Sequence, residues 1–355
     1  MPVHTWNRLG VNTAELVLNA PEAETSAGEA GLIVPDQVRL APILEKTKLD
    51  GFGADCFVSA EMGAFIDAHA NRRHFIQIPK NYRNPEPIVL ELRLSAQNPV
   101  LMDDIVIESQ ESSETTVIIK YSSEPGTVTE HCGRTRLIIR PGAKLRLVKA
   151  QLLDSGTANT DAVEGLVEEN ARADVILAEL GALRSSSSCN LLLAGTSSAA
   201  SLDALYLGDG ERSLDMSYRI EHRGKKTVSG IRAKGILLGH SRKVLRDTLD
   251  FISGSSGSKG REEESVLLLS PETRNISVPL LLCGEDDVEG EHAASSGRLD
   301  EKILFYLMSR GIDELEARKL LAQAALSAIV ENIPDINLQE EILEAVNRSV
   351  AQGGR

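Results

Sequence analysis

Residues 214–221 read LDMSYRIE, a stretch in which apolar and polar side chains alternate at every position. The apolar members are Leu214, Met216, Tyr218 and Ile220. Alternation with a period of two is typical of a β-strand that buries one face and exposes the other. Residues 88–94 (IVLELRL) show the same pattern. These two segments, far apart in the chain, predict a protein built mainly from strands.

Further short strands are predicted between these segments and after them. They lie at 116–121, 136–140, 144–153, 174–180, 190–194, 266–270 and 277–283. Turn signals such as Pro141-Gly142 and Gly208-Asp209-Gly210 separate them. No helical pattern of useful length interrupts the array for about two hundred residues. A strand array of this length forms a sandwich, a barrel or a solenoid.

Composition favours the solenoid among these three architectures. Aromatic residues make up only 3% of the chain, and the strands are short. Asn-Gly, the strongest hairpin signal, is absent, and Asp209-Gly210 is the only Asp-Gly inside the array. Parallel coils therefore fit better than hairpins. We predict a mainly β protein with a right-handed parallel β-helix at its centre.

Helical regions are expected on both sides of the strands. Residues 61–70 (EMGAFIDAHA) predict a short helix within a mixed N-terminal region, 1–75. After the strand array of residues 76–290, a C-terminal helical domain is expected over 291–355. Gly311 marks a helix stop, Asp313 with Glu316 forms a capping box, and Asn337 with Glu340 is the expected start of the last helix. The apolar face of the middle helix is predicted from its spacing. Its members are Leu320, Leu321, Ala324, Ala325 and Ile329.

Charge and cysteine usage exclude several classes of partner. The net charge of −14 opposes binding to nucleic acid or to an anionic membrane surface. No apolar run approaches the roughly 20 residues that a membrane span needs, and residues 1–10 lack a signal-peptide pattern. The four cysteines, Cys56, Cys132, Cys189 and Cys283, are far apart and form no CxxC pair. A reducing cytoplasm is the expected compartment.

Motifs for catalysis are missing from the sequence. Residues 254–260 (GSSGSKG) resemble a phosphate-binding loop, but the lysine spacing is wrong and no Ser or Thr follows. HExxH and GxSxG are absent, whereas a Cys–His pair formed in space stays open. The chain is therefore expected to bind no nucleotide and to have no catalytic residues.

One acidic segment concentrates groups that bind metals. Residues 283–292 (CGEDDVEGEH) hold one thiol, five carboxylates and one imidazole. One interpretation is a solvated loop between strands and helices, which the spacing alone favours. The other is a metal-facing junction that contains Cys283, Glu291 and His292, because thiolate and imidazole are good iron ligands and a nearby carboxylate orients an imidazole.

The segment after this acidic stretch resembles a known family. Residues 292–301 (HAASSGRLDE) and 304–311 (LFYLMSRG) are similar to the signature of the SufB/SufD family of iron–sulfur cluster assembly scaffolds. Residues 222–235 (HRGKKTVSGIRAKG) resemble a second family segment. The position after His292 is Ala293, where SufB carries a glutamate, so the chain is more similar to SufD.

The resemblance implies a fold, partners and a site. It implies a β-helix with helical ends, which pairs with a SufB-like or identical subunit through the β-helix. A SufC-type ABC ATPase would bind the C-terminal helices, and the matching residues there are Leu304, Phe305, Tyr306, Arg310 and Gly311. A transient iron–sulfur cluster would form at the subunit interface, with His292 as a metal-facing residue. Cys283 does not match the family's cysteine and is expected to be a core residue.

A carbohydrate-active enzyme is the alternative. Enzymes that act on polysaccharides also use β-helices, although they are usually exported. The expected helical tail and the expected cytoplasmic location favour the scaffold.

Overall fold

A computed structural model describes residues 18–21, 28–41 and 60–353. Two sheets form its centre, and they alternate along the chain. The first sheet contains β1 (Gly28–Ile33), β4 (Ile88–Leu94), β6 (Glu114–Ser123), β8 (Lys144–Leu152), β10 (Arg172–Glu179), β12 (Ala199–Gly208), β14 (Val228–Leu237), β16 (Ser258–Leu268) and β19 (Val288–Arg298). The second contains β2 (Arg39–Ala41), β3 (Arg72–Ile78), β5 (Val100–Ser109), β7 (Thr129–Ile139), β9 (Thr157–Val167), β11 (Arg184–Leu193), β13 (Ser213–His222), β15 (Arg242–Phe251), β17 (Arg274–Ser277) and β18 (Leu280–Cys283).

Each coil of the chain gives one strand to each sheet, and from β3 to β19 neighbouring strands are parallel and in register. This arrangement is a β-solenoid, so the predicted fold class is confirmed. Two antiparallel strands cover its first coil, because β1 pairs with β4 and β2 pairs with β3. At the other end, β19 pairs only with β16 among the described residues.

Register stacking places equivalent side chains in rows that run along the solenoid. One inward row of the first sheet passes from aliphatic side chains to polar ones. Its members are Leu147, Val175, Leu202, Ile231, Glu262 and His292. Successive members are 27 to 31 residues apart, so the coils differ in length. Each fully buried aliphatic side chain of the core stabilises the fold by about 1.5–3 kcal/mol.

Among the described residues, three helices follow the solenoid and one precedes it. The N-terminal helix α1 (Ala60–His69) begins and ends close to its predicted bounds and packs Ile66 against Met102 and Cys132. Helices α3 (Glu314–Val330) and α4 (Ile336–Gly353) cover the outer face of the first sheet with a second apolar core. Helix α2 (Glu301–Ser309) has no buried residue.

Details of the C-terminal region differ from the sequence-based expectation. The last solenoid strand continues to Arg298, so His292 lies within a strand and not where strands give way to helices. The Asp313 carboxylate accepts the backbone N–H of Glu316, as expected, but Asp335 rather than Asn337 accepts a backbone N–H at the start of α4. Leu320 and Ala324 are exposed, since the buried stripe of α3 is shifted. That stripe consists of Ala317, Ala322, Leu326, Ile329 and Val330.

Polar side chains also occupy the solenoid interior. The ring nitrogens of His131 lie 2.7 Å from a carboxylate oxygen of Asp103 and 2.6 Å from the amide oxygen of Asn159, and the protonated ring donates to both. Asn159 donates to Ser185, which donates to Glu179. Burial opposes the charged imidazole, but the Asp103 hydrogen bond and charge prevail and raise the pKa of His131. Burial, together with the charge of Asp161, raises the pKa of Glu179 to about 7.

The Gly235→Ala substitution tests the stacking of coils. A Cβ atom at residue 235 would lie 1.9 Å from the ring of Tyr206, its register partner in the preceding coil. Because this contact is with a buried ring, we expect a loss of about 1–3 kcal/mol in the free energy of unfolding. Gly230→Ala in the same strand is the control, since its Cβ would meet only one atom, at 4.0 Å. Equal urea midpoints for the two variants would contradict the register.

The interior carboxyl of Glu179 predicts a pH-dependent stability. Its folded pKa of about 7 lies above the value of 4.5 expected in the unfolded chain. The unfolded chain therefore releases this proton first, and stability falls as pH rises from about 4.5 to 7, by about 3 kcal/mol. Glu179→Gln should lose less stability than the wild type between pH 5 and pH 8 in urea unfolding. The exposed Glu169→Gln should follow the wild type, and an unchanged pH dependence in Glu179→Gln would refute the assignment.

Candidate functional site

The open end of the solenoid is formed by β19, which lies on β16. Inward and outward side chains alternate along β16, so that Gly260, Glu262 and Glu264 are buried. Glu262 is the register partner of His292 and Glu264 is the partner of Ala294. Because adjacent parallel strands are about 4.8 Å apart, the side chains of Glu262 and His292 are neighbours on the inward face. No further coil covers His292 among the described residues, and its side chain is exposed.

Two buried carboxyl groups lie beneath His292. Burial, and after it the charge of Asp247, raises the pKa of Glu262 to about 8. Burial, and after it the charge of Glu264, raises the pKa of Asp247 to about 6, while His292 lowers it. His292 is the inward register partner of Glu262, and Asp247 extends inward from the opposite sheet, so the imidazole lies at the open end of the solenoid interior. This end of the solenoid therefore combines an exposed imidazole with buried acids.

A buried ion pair lies beside these acids. The ammonium group of Lys243 donates to Glu264, and the hydroxyl of Tyr206 donates to the same carboxylate at 2.7 Å. Lys243 also donates to Ser277 at 3.0 Å, which fastens β17 to the interior. One oxygen of Glu264 thus accepts two hydrogen bonds, and Lys243 links β16 to β17.

The structure separates the three predicted metal-site residues. His292 faces the interior, whereas Glu291 is its neighbour on the other face of β19, in register with Arg261. Cys283 ends β18 and is exposed, so the expectation that it is a core residue is wrong. No group of three or more His, Cys, Asp or Glu side chains is close enough to hold a metal ion in the part of the chain that the structure describes. The buried residues Asp247, Glu262, Glu264 and Lys243 were not found from the sequence.

The acidic stretch before His292 is bound to the preceding coil. Glu285 accepts the backbone N–H of Gly254 at 2.9 Å, and this bond is the main reason that the pKa of Glu285 is lowered. Asp287 accepts from Ser256 at 2.7 Å, and Glu289 pairs with Lys259. The stretch is therefore an ordered turn and edge strand that stacks on residues 254–259.

Helix α2 carries the predicted partner-binding residues. Phe305 and Tyr306 are 73% and 55% exposed, while Leu304 is half-buried. The guanidinium of Arg310 lies 5.2 Å from the centre of the Tyr306 ring. Gly311 follows with a φ of +88°, a conformation that favours glycine at a helix end. An apolar helix face without a covering element is typical of a protein-binding surface.

Comparisons with known proteins agree with this architecture. Residues 92–325, about two thirds of the chain, match the family described as SUF system FeS cluster assembly, SufBD core domain. This match assigns the β-solenoid with its helical tail to a defined class, the SufBD core proteins of iron–sulfur cluster assembly. The chain belongs to the SufBD family.

Individual relatives point in the same direction. The chain is 26% identical over 297 residues to the iron-sulfur cluster assembly protein SufD of Bacillus subtilis, which covers 82% of this chain and 67% of that protein. It is 24% identical over 262 residues to SufBD family proteins of Staphylococcus saprophyticus and Staphylococcus haemolyticus. The matched region is 73% of this chain but only 56% of those relatives. The predicted likeness to SufD is confirmed.

Thiol labelling tests the placement of Cys283. Cys132 and Cys189 are buried, and burial raises the pKa of Cys132 to about 12 and raises the pKa of Cys189 well above its usual value, so neither thiol forms much thiolate. In a Cys56→Ser background, a thiol reagent should therefore modify one cysteine of the native protein and three of the unfolded protein. Peptide mass mapping should identify Cys283 as the fast site. Slow reaction at Cys283, at the rate of Cys189, would contradict its exposure.

Proposed function

We propose that this protein is a scaffold subunit for iron–sulfur cluster assembly in the cytoplasm. It pairs through its β-solenoid with a SufB-like or identical subunit and binds a SufC-type ATPase through its C-terminal helices. The nascent cluster is the cargo of the complex and forms at the interface between the two solenoids. The chain itself catalyses no reaction, and ATP hydrolysis belongs to the partner. Membership of the SufBD family supports this proposal.

The single observation that carries the proposal is the uncovered edge of β19. Within the part of the chain that the structure describes, this 11-residue strand has one unpaired edge, which offers a row of backbone N–H and C=O groups to another strand. Such an edge favours association with a second solenoid, and His292 lies in the middle of the strand. A partner that adds a strand here would bring its own side chains next to the imidazole.

The ATPase site in the proposal is the exposed face of α2. A groove of about 410 Å³ separates α2 from the end of the solenoid, and it is lined by Leu268, Leu304, Met308 and Arg318 among others. Because α2 is connected to the strand that contains His292 by only two residues, motion of the helix acts directly on the proposed cluster site. None of the described helices is long and apolar enough to cross a membrane. No observation on the described residues favours the carbohydrate-active alternative.

Substitution of the exposed aromatic side chains tests the docking surface. Phe305→Ser with Tyr306→Ser should weaken ATPase binding at least about 30-fold, because the loss of even one aromatic anchor costs about 2 kcal/mol at an interface. The fold should be unaffected, since neither ring is buried. Ile336→Ser, which changes another exposed apolar side chain at the start of α4, is the matched control. Calorimetry that gives the same affinity for all three proteins would refute the assignment of α2.

The His292→Ala substitution tests the cluster site. In the complex assembled with both partners, the apparent affinity for the cluster should fall about 10- to 100-fold. The measurement is cluster absorbance after anaerobic loading with iron and sulfide. The exposed His240→Ala, in a turn of the solenoid, should load like the wild type. ATPase binding should be unchanged in both variants. Full loading of the His292→Ala complex would overturn the proposed function at this site.

A further inference from the structure

The carboxyl group of Glu262 is buried without a partner. Its side chain belongs to a residue that is 1% exposed, and neither carboxyl oxygen has a hydrogen-bond partner among the described residues. The backbone N–H of Leu249 lies near the group as a weak hydrogen bond outside the usual distance and angle limits, and it lowers the pKa of Glu262 less than burial raises it. An unpartnered buried carboxyl costs several kcal/mol, so a compensating group is expected where one persists. Glu264, two residues later, shows the contrast, because Lys243 and Tyr206 both donate to it.

Several features place this carboxyl group against His292. Glu262 and His292 are register partners on adjacent parallel strands and occupy the same inward row. The other members of that row are aliphatic in all the preceding coils from Leu147 to Ile231, so the polar pair exists only where the solenoid ends. Asp247, which is buried opposite, interacts electrostatically with both side chains. An acid and an imidazole are therefore adjacent at the end of the solenoid interior that no further strand covers among the described residues.

The chemistry of this pair suits a divalent transition-metal ion. A carboxylate oxygen and a neutral imidazole nitrogen are ligands that Fe²⁺, Co²⁺ and Zn²⁺ accept. We propose that Glu262 and His292 together bind a divalent metal ion at the open end of the solenoid, which for the proposed function is the incoming iron. This assignment deepens that proposed function and rests on it for the identity of the metal. Two ligands leave open coordination positions, which water, sulfide or a side chain of the paired subunit would fill.

A purely structural role for Glu262 predicts the opposite stability effect. A carboxyl group that stabilised the core through its contacts would lower stability when replaced. An unpartnered carboxyl retained for metal binding predicts that Glu262→Gln, which keeps the shape and removes the ionisable group, unfolds at the same or a higher urea concentration. The substitution therefore separates the two roles through a measurement that does not depend on activity.

The direct test is an anaerobic titration of the full chain with Co²⁺, followed by its visible absorption. Glu262→Gln and His292→Ala should each weaken Co²⁺ binding at least about tenfold. The control is Glu263→Gln, which makes the same substitution at the neighbouring position on the outer face and should bind like the wild type. Co²⁺ binding by Glu262→Gln that matches the wild type, or a wild type without saturable binding, would overturn the site. Lower stability of Glu262→Gln would also count against it.

Cluster loading in the assembled complex distinguishes this inference from the proposed function. If Glu262→Gln binds Co²⁺ normally and the His292→Ala complex fails to load a cluster, the scaffold function stands and the role of Glu262 is wrong. If Co²⁺ binding depends on both residues but both variant complexes load fully, the metal site stands and the cluster assignment fails. Loss of both properties in both variants supports the two proposals together.

Discussion

In-register stacking of parallel coils is the constraint on which the rest of the molecule depends. Each inward side chain lies on its counterpart in the preceding coil. A polar side chain in such a row is therefore tolerated only where neighbouring coils supply its hydrogen-bond partners. Aliphatic rows supply most of the core, and Tyr206 fits only because its partner in the next coil is Gly235. The polar rows are satisfied by bonds between coils, such as those of His131. Stacking ends at β19, and there the inward row reaches the surface.

The two ends of the solenoid are treated differently. Antiparallel strands β1 and β2 cover the first coil, whereas the last strand keeps one free edge within the described residues. Protected edges are the rule because open strands associate with other chains. An ordered but uncovered edge next to buried acids is therefore consistent with a surface that is completed by a partner. The exposed apolar face of α2 provides a second uncovered surface close by.

The sequence was informative wherever a local pattern decides the structure. Alternation over 88–94 located β4 with its bounds, and the Asp313–Glu316 cap was found because capping depends on residues three apart. Strands β14 and β15 were not predicted, since buried polar residues and glycines interrupt their alternation, and β12 was missed because Leu205 and Leu207 make its outer face apolar as well. The division into domains at residues 75 and 290 stays a prediction.

The candidate site was predicted only in part for a related reason. His292 was found through its family signature, which is a local motif. Glu262 lies 30 residues earlier and becomes its neighbour only through the coil register. Coil lengths of 27 to 31 residues conceal that register in a single sequence. Cys283 was misassigned because an apolar run precedes it, although β18 is short and the strand ends at the surface.

Hydrogen exchange of β19 tests the central claim most directly. Alternate backbone amides of Val288–Arg298 that bond to no strand in the isolated chain should exchange quickly. On assembly with the paired subunit, peptides covering this strand should gain protection, while peptides from β9 or β11 in the middle of the solenoid should not change. If a mass measurement shows that the complex has formed and the exchange of β19 is unchanged, the result would contradict a scaffold that pairs through its open end.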